Sequence, residues 1–99
     1  MEKILSKLND YIFLIEEAQE KDNYAENRSL FKSHLSEAAK MYAHLIKSNN
    51  INSITQLVLD ENRNHGISFM PGAYGEKISI YWSDFVKASN ISVKVKLNE

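Results

Sequence analysis

The chain predicts a mainly α fold, a small helical bundle led by an antiparallel helical hairpin and finished by a short C-terminal β-strand. Three observations carry that reading. Two long segments, 2–20 and 24–47, place apolar residues at helical spacing. Only a short polar turn separates them, which favours a hairpin. The tail at 91–97 alternates apolar and polar residues at period two, the pattern of a strand.

The first helix is set by Ile4, Leu8, Tyr11, Ile12 and Ile15, flanked by Leu5 and Ala18. These fall on one helical face. Glu20-Lys21-Asp22-Asn23 then forms a polar turn, with Asp22 or Asn23 as an N-cap. The second helix carries Phe31, Leu35, Ala38, Tyr42 and Leu45, broadened by Leu30, Ala39 and Ile46, and stops at Ser48-Asn49-Asn50. A third helix is predicted over 54–65, capped by Ser53 and ended by Gly66 as a C′ residue. Met70-Pro71-Gly72-Ala73-Tyr74-Gly75 reads as a loop. A fourth helix over 75–89 follows from Ile78, Tyr81, Trp82, Phe85 and Ala88 or Ser89, a set that a strand of period two does not explain beyond Trp82. In the tail, Ile91, Val93, Val95 and Leu97 alternate with Ser92, Lys94, Lys96 and Asn98. The competing fold is α+β, two helices on an antiparallel meander with strands near 54–59, 67–70, 77–82 and 91–97, because Ile54-Thr55-Gln56-Leu57-Val58-Leu59 is also rich in strand formers. Either way, 99 residues make one domain.

Composition excludes several function classes. Twelve Lys+Arg against 13 Asp+Glu give a net charge of −1, so the chain lacks the basic excess of a small domain that binds nucleic acid directly. The absence of cysteine removes disulfides, thiolate catalysis and Cys-based zinc sites. No apolar run approaches a membrane span, and the N-terminal residues do not read as a secretory signal. A cytoplasmic protein without membrane contact is the expectation.

No catalytic constellation is visible. Asp60-Glu61-Asn62-Arg63-Asn64-His65-Gly66-Ile67 begins like a calcium loop, but His65 stands where the loop needs glycine and Pro71 where it needs a bidentate glutamate. His34 and His44 lie ten residues apart on one predicted helix, too far to share an ion, and no His-Glu-x-x-His frame surrounds them or His65. Each histidine reads as a surface or satisfied core residue. No nucleophile elbow and no glycine-rich phosphate loop occurs. The expectation is therefore a non-enzyme with no cofactor and no metal. Trp82 and Phe85 read as core, with Tyr74, Tyr81 or Trp82 as candidate interface anchors.

Charge placement says more than charge total. Asp10, Glu16, Glu17, Glu20, Asp22 and Glu26 face Lys21 alone across residues 10–26, and Asp60, Glu61, Glu76 and Asp84 supply a second acidic set. Basic residues gather at Arg28, Lys32, Lys40 and Lys47, and at Lys87, Lys94 and Lys96. Such polarity suits electrostatic steering toward a basic partner.

The segment Leu57–Gly72, with Gly75-Glu76 and Trp82-Ser83-Asp84-Phe85, resembles small bacterial immunity proteins encoded beside polymorphic or contact-dependent growth inhibition toxins. Glu61, Arg63, Gly66, Ser68 and Phe69 occupy an E-x-R-x-x-G-x-S-F stretch of that kind. The chain departs from it at Ile67, where a large aromatic is expected, and in the tail after Asn90. The resemblance implies a protein that neutralises a cognate toxin domain, frequently a nuclease, by direct binding in a 1:1 complex. Partner-binding residues are then expected among Glu16, Glu17, Glu20, Asp22, Glu26, Asp60, Glu61, Tyr74, Glu76 and Asp84. Two alternatives remain open: a phage-type anti-defence inhibitor using acidic nucleic-acid mimicry, and a homodimeric structural module paired through the C-terminal strand.

Overall fold

The computed structural model describes residues 1–92, and these fold into four α-helices joined by short connections. They are α1 (Glu2–Lys21), α2 (Arg28–Ser48), α3 (Thr55–Ile67) and α4 (Gly72–Ser89). Helix α1 packs against both α2 and α4, and α3 packs against α2. Being covered on two sides, α1 buries a wide arc: Leu8, Tyr11, Leu14, Ile15 and Ala18. Facing it are Phe31, Ala38, Met41 and Leu45 of α2 and Ile78, Trp82, Phe85 and Val86 of α4. Val58 and Ile54 extend the core under α3.

The mainly helical expectation holds, and no strand occurs among the described residues. The meander is overturned at 54–59 and 77–82, which are helical, and at 67–70, which contains the end of α3 and a short loop. The helical period wins there because it buries Ile54, Val58, Ile78, Trp82 and Phe85 together. Period two would have put Gln56 and Ile80, which are exposed, on the buried face between these pairs and turned Phe85 to the opposite face. Of the expected strand at 91–97, Ile91 and Ser92 adopt no regular structure, and 93–97 lie outside the described residues.

Four boundaries differ from expectation. Before α2 the chain makes a 3-10 turn at Ala25–Asn27, so α2 starts at Arg28 rather than at Tyr24. Another 3-10 turn, Ile51–Ile54, leads into α3, and its cap is Asn50, whose side chain accepts from the Asn52 amide at 2.9 Å. Ser53 is not the cap: it accepts a hydrogen bond from the Ser48 hydroxyl at 2.9 Å. Gly66 does not stop α3, which runs to Ile67 and ends with Ser68 extended. Pro71 sits at the N-cap of α4 with φ −69°, so that helix begins at Gly72, three residues early. Two left-handed asparagines, Asn49 (φ 51°) and Asn90 (φ 60°), end α2 and α4.

Two glycines hold the α3–α4 corner. Gly72 has φ +88°, and a Cβ there would meet the Tyr24 ring. At Gly75 a Cβ would fall 1.9 Å from the Met70 carbonyl oxygen, so the loop lies directly on the first turn of α4. Buried Asn27 ties this loop to the α1–α2 connection by donating to Asp22 at 2.8 Å and to the Pro71 carbonyl at 3.0 Å.

Candidate functional site

Below the α3–α4 corner the helices bring four polar side chains into the core. Glu61 and His65 stand one turn apart on α3, His34 faces them from α2, and Tyr11 from α1. His34 Nδ1 bonds Glu61 Oε2, and Asn64 donates to the other carboxylate oxygen at 3.3 Å. The Tyr11 hydroxyl lies 2.6 Å from His65 Nε2 and 3.5 Å from Glu61 Oε2. His34 and His65 stack with ring centroids 4.0 Å apart, and His65 stacks in turn on Trp82 at 5.1 Å. The Trp82 indole N–H donates to Asn62 at 3.0 Å.

Protonation follows from this packing. Burial, aided by His34, lowers His65 to about 3, so its ring is neutral. Burial and then the Glu61 charge push the Tyr11 phenol well above its ordinary value, leaving it a donor. Tyr11 O–H to His65 Nε2 is the consistent assignment, which puts the His65 proton on Nδ1. That nitrogen and His34 Nε2 are buried with no hydrogen-bond partner among the described residues. An unpaired buried polar group costs about 1–3 kcal/mol, and a buried carboxylate costs more unless it is well paired. Apolar packing would carry neither penalty. The donor atoms of His34, Glu61 and His65 all lie within 4.8 Å of one another, so these three residues could hold a metal ion.

Above the cluster, the same corner forms a groove of about 700 Å³ lined by His65, Ile67, Phe69, Glu76, Ser79 and Ile80. Its apolar walls face water: Phe69 is 81% exposed, Ile67 78% and Ile80 51%. Three large apolar side chains are thus gathered on one concave surface rather than scattered singly.

The residues predicted from sequence divide into groups. Glu16, Glu17, Glu20 and Glu26 are exposed at the end of α1 and the turn after it. Glu17 accepts from the Tyr74 hydroxyl at 2.6 Å, which joins the acidic end of α1 to the first turns of α4. That bond, with the charges of Glu17 and Asp22, raises the Tyr74 phenol above its ordinary value. Glu76 lies in the groove. Asp60 is partly occupied by Gln56 at 2.9 Å and Arg63 at 3.4 Å, and Asp84 shares a small pocket with Lys7, Asp10 and Tyr81.

Glu61, expected among the partner-binding residues, is buried instead. It is 1% exposed and engaged by His34, so it cannot meet a partner at the surface. The second acidic set therefore does not form one patch. His34 and His65 join the buried cluster, and Ile67 and Ile80 line the groove, placements not expected from the sequence. The i,i+4 spacing of Glu61 and His65 was available as a signal, whereas His34 depends on how α2 and α3 pack. His44 is exposed and lies outside the cluster.

Comparisons with protein families, with curated proteins and with solved structures give no match. No helix among the described residues is long and apolar enough to cross a membrane.

Proposed function

We propose that this chain is a non-catalytic binding protein, an immunity-type inhibitor that neutralises a cognate bacterial toxin in the cytoplasm by covering its active site. The observation that carries the reading is the exposure of Ile67, Phe69 and Ile80 along one groove that also holds Glu76. Apolar anchors set in a concave site supply affinity. Carboxylates around them supply orientation and association rate toward a cationic surface. Glu16, Glu17 and Glu20 stand on the neighbouring helix that Tyr74 links to α4. A nuclease cleft, lined with cations to hold phosphates, is the complementary surface.

The groove coincides with the stretch Gly66, Ser68 and Phe69 on which the resemblance to immunity proteins rests. A fully buried histidine–glutamate pair is unsuited to turnover, because no substrate reaches it. The test is co-expression with the toxin domain encoded beside the gene. The reading predicts that growth is restored by the native chain and not by Phe69→Asp. Equal protection by both, or protection by neither, contradicts it.

A further inference from the structure

We propose that His34, Glu61 and His65, with the Tyr11 hydroxyl as fourth donor, form a structural site for a zinc-class divalent cation. Two imidazoles and a carboxylate are ligands that borderline cations such as zinc accept, and four donors make the closed set of a structural site. The donors come from three helices and converge: His34 Nδ1 bonds Glu61 Oε2, Tyr11 lies 2.6 Å from His65 Nε2, and His65 Nε2 lies 3.5 Å from Glu61 Oε2. Neighbouring ligands around a tetrahedral zinc stand a little over 3 Å apart, so these side chains already sit near ligand spacing. His34 and Glu61 are 2% and 1% exposed, which leaves no route for substrate and makes the role structural.

The second observation is the cost of the arrangement as it stands. Glu61 is a buried carboxylate with no lysine or arginine against it among the described residues. A divalent charge would compensate the carboxylate fully and would fix which nitrogen of each ring carries a proton. Coordination through His34 Nδ1 and His65 Nε2 would leave the ring protons on His34 Nε2 and His65 Nδ1, and a coordinated Tyr11 would give up its phenol proton to solvent.

The geometry adds one requirement. A nitrogen lone pair lies in its ring plane, and the planes of His34 and His65 are stacked only 13° from parallel. Both cannot aim at one ion, so one ring must turn out of the stack. His65 has room, because it also lines the groove. Its turning would separate it from Trp82, the only tryptophan in the chain. Metal binding is thus coupled to a fluorescence reporter built into the site.

The experiment is titration of chelator-treated full-length protein with zinc ion alone, followed by calorimetry and by Trp82 fluorescence, with cobalt(II) as a spectroscopic probe. One ion per chain, a saturating fluorescence change and the visible absorption of tetrahedral cobalt are expected. His34→Gln and His65→Gln should each weaken binding about tenfold or more, while His44→Gln leaves it unchanged. Should either cluster variant fail to fold, as read by circular dichroism, the native protein's cobalt spectrum and tryptophan response decide alone. No binding at micromolar zinc, binding without a tryptophan response, or binding that depends on His44 overturns the proposal. Because the titration contains no toxin, its failure leaves the inhibitor reading standing, and failure of that reading leaves the site standing.

Discussion

His65 lies flat against Trp82, with ring planes 12° apart and centroids separated by 5.1 Å. The contact joins α3 to α4 in a structure where α4 otherwise leans on α1. His65 is at once part of the buried polar cluster and of the groove wall, so the core and the candidate binding face share one ring. Trp82→Phe removes the indole bond to Asn62 and part of this stack. It should lower unfolding free energy by about 1–3 kcal/mol, measured by urea denaturation.

The α3–α4 corner depends on glycine unequally. Gly75→Ala drives a methyl group into the Met70 carbonyl, which is backbone and cannot yield cheaply. A loss of about 3 kcal/mol or more is expected. Gly66 is helical with nothing within 4 Å of a Cβ placed there, so Gly66→Ala should stabilise by about 0.5–1 kcal/mol. Thermal melts of the two variants moving in the same direction would contradict this description of the corner.

The Glu17–Tyr74 bond makes a prediction about proton affinity. Tyr74 titrates above an ordinary phenol because it donates to Glu17 beside the Asp22 charge. Glu17→Gln removes a negative charge and a strong acceptor, so the Tyr74 pKa should fall toward 10. Nuclear magnetic resonance titration of the tyrosine rings resolves Tyr74 from the other four.

Charge on the end of α1 should govern encounter. Reversing Glu16, Glu17 and Glu20 to lysine together should slow association with a basic toxin and flatten its dependence on salt. All three are exposed, so the helix content should be retained. Unchanged association kinetics would confine the contact surface to the groove.

Much of the fold is legible in the sequence because its helices are amphipathic over several turns. Leu8, Tyr11 and Ile15 of α1 and Phe31, Ala38 and Leu45 of α2 are core by spacing alone, and they are buried. Boundaries were less legible. Gly66 and Ser53 look like helix punctuation, yet Gly66 is carried inside α3 and Ser53 lies in a 3-10 turn. The site was the least legible part. Apolar residues are ordinarily assigned inward, so nothing local shows that Ile67 and Phe69 face water. Glu61 follows the reverse logic: a charged residue reads as surface until His34, 27 positions away, is brought against it by packing.

Whether the groove binds the partner is decided by the calorimetric affinity of the purified chain for the toxin domain encoded beside its gene, compared between the native protein and Phe69→Ala. Because Phe69 is 81% exposed, truncation should leave the melting temperature within about a degree, since surface changes of this kind cost at most about 0.5 kcal/mol. If Phe69 is an anchor, affinity should fall about thirtyfold or more, corresponding to a loss of at least about 2 kcal/mol. Equal affinity of the two proteins, or no complex with either, would contradict the account.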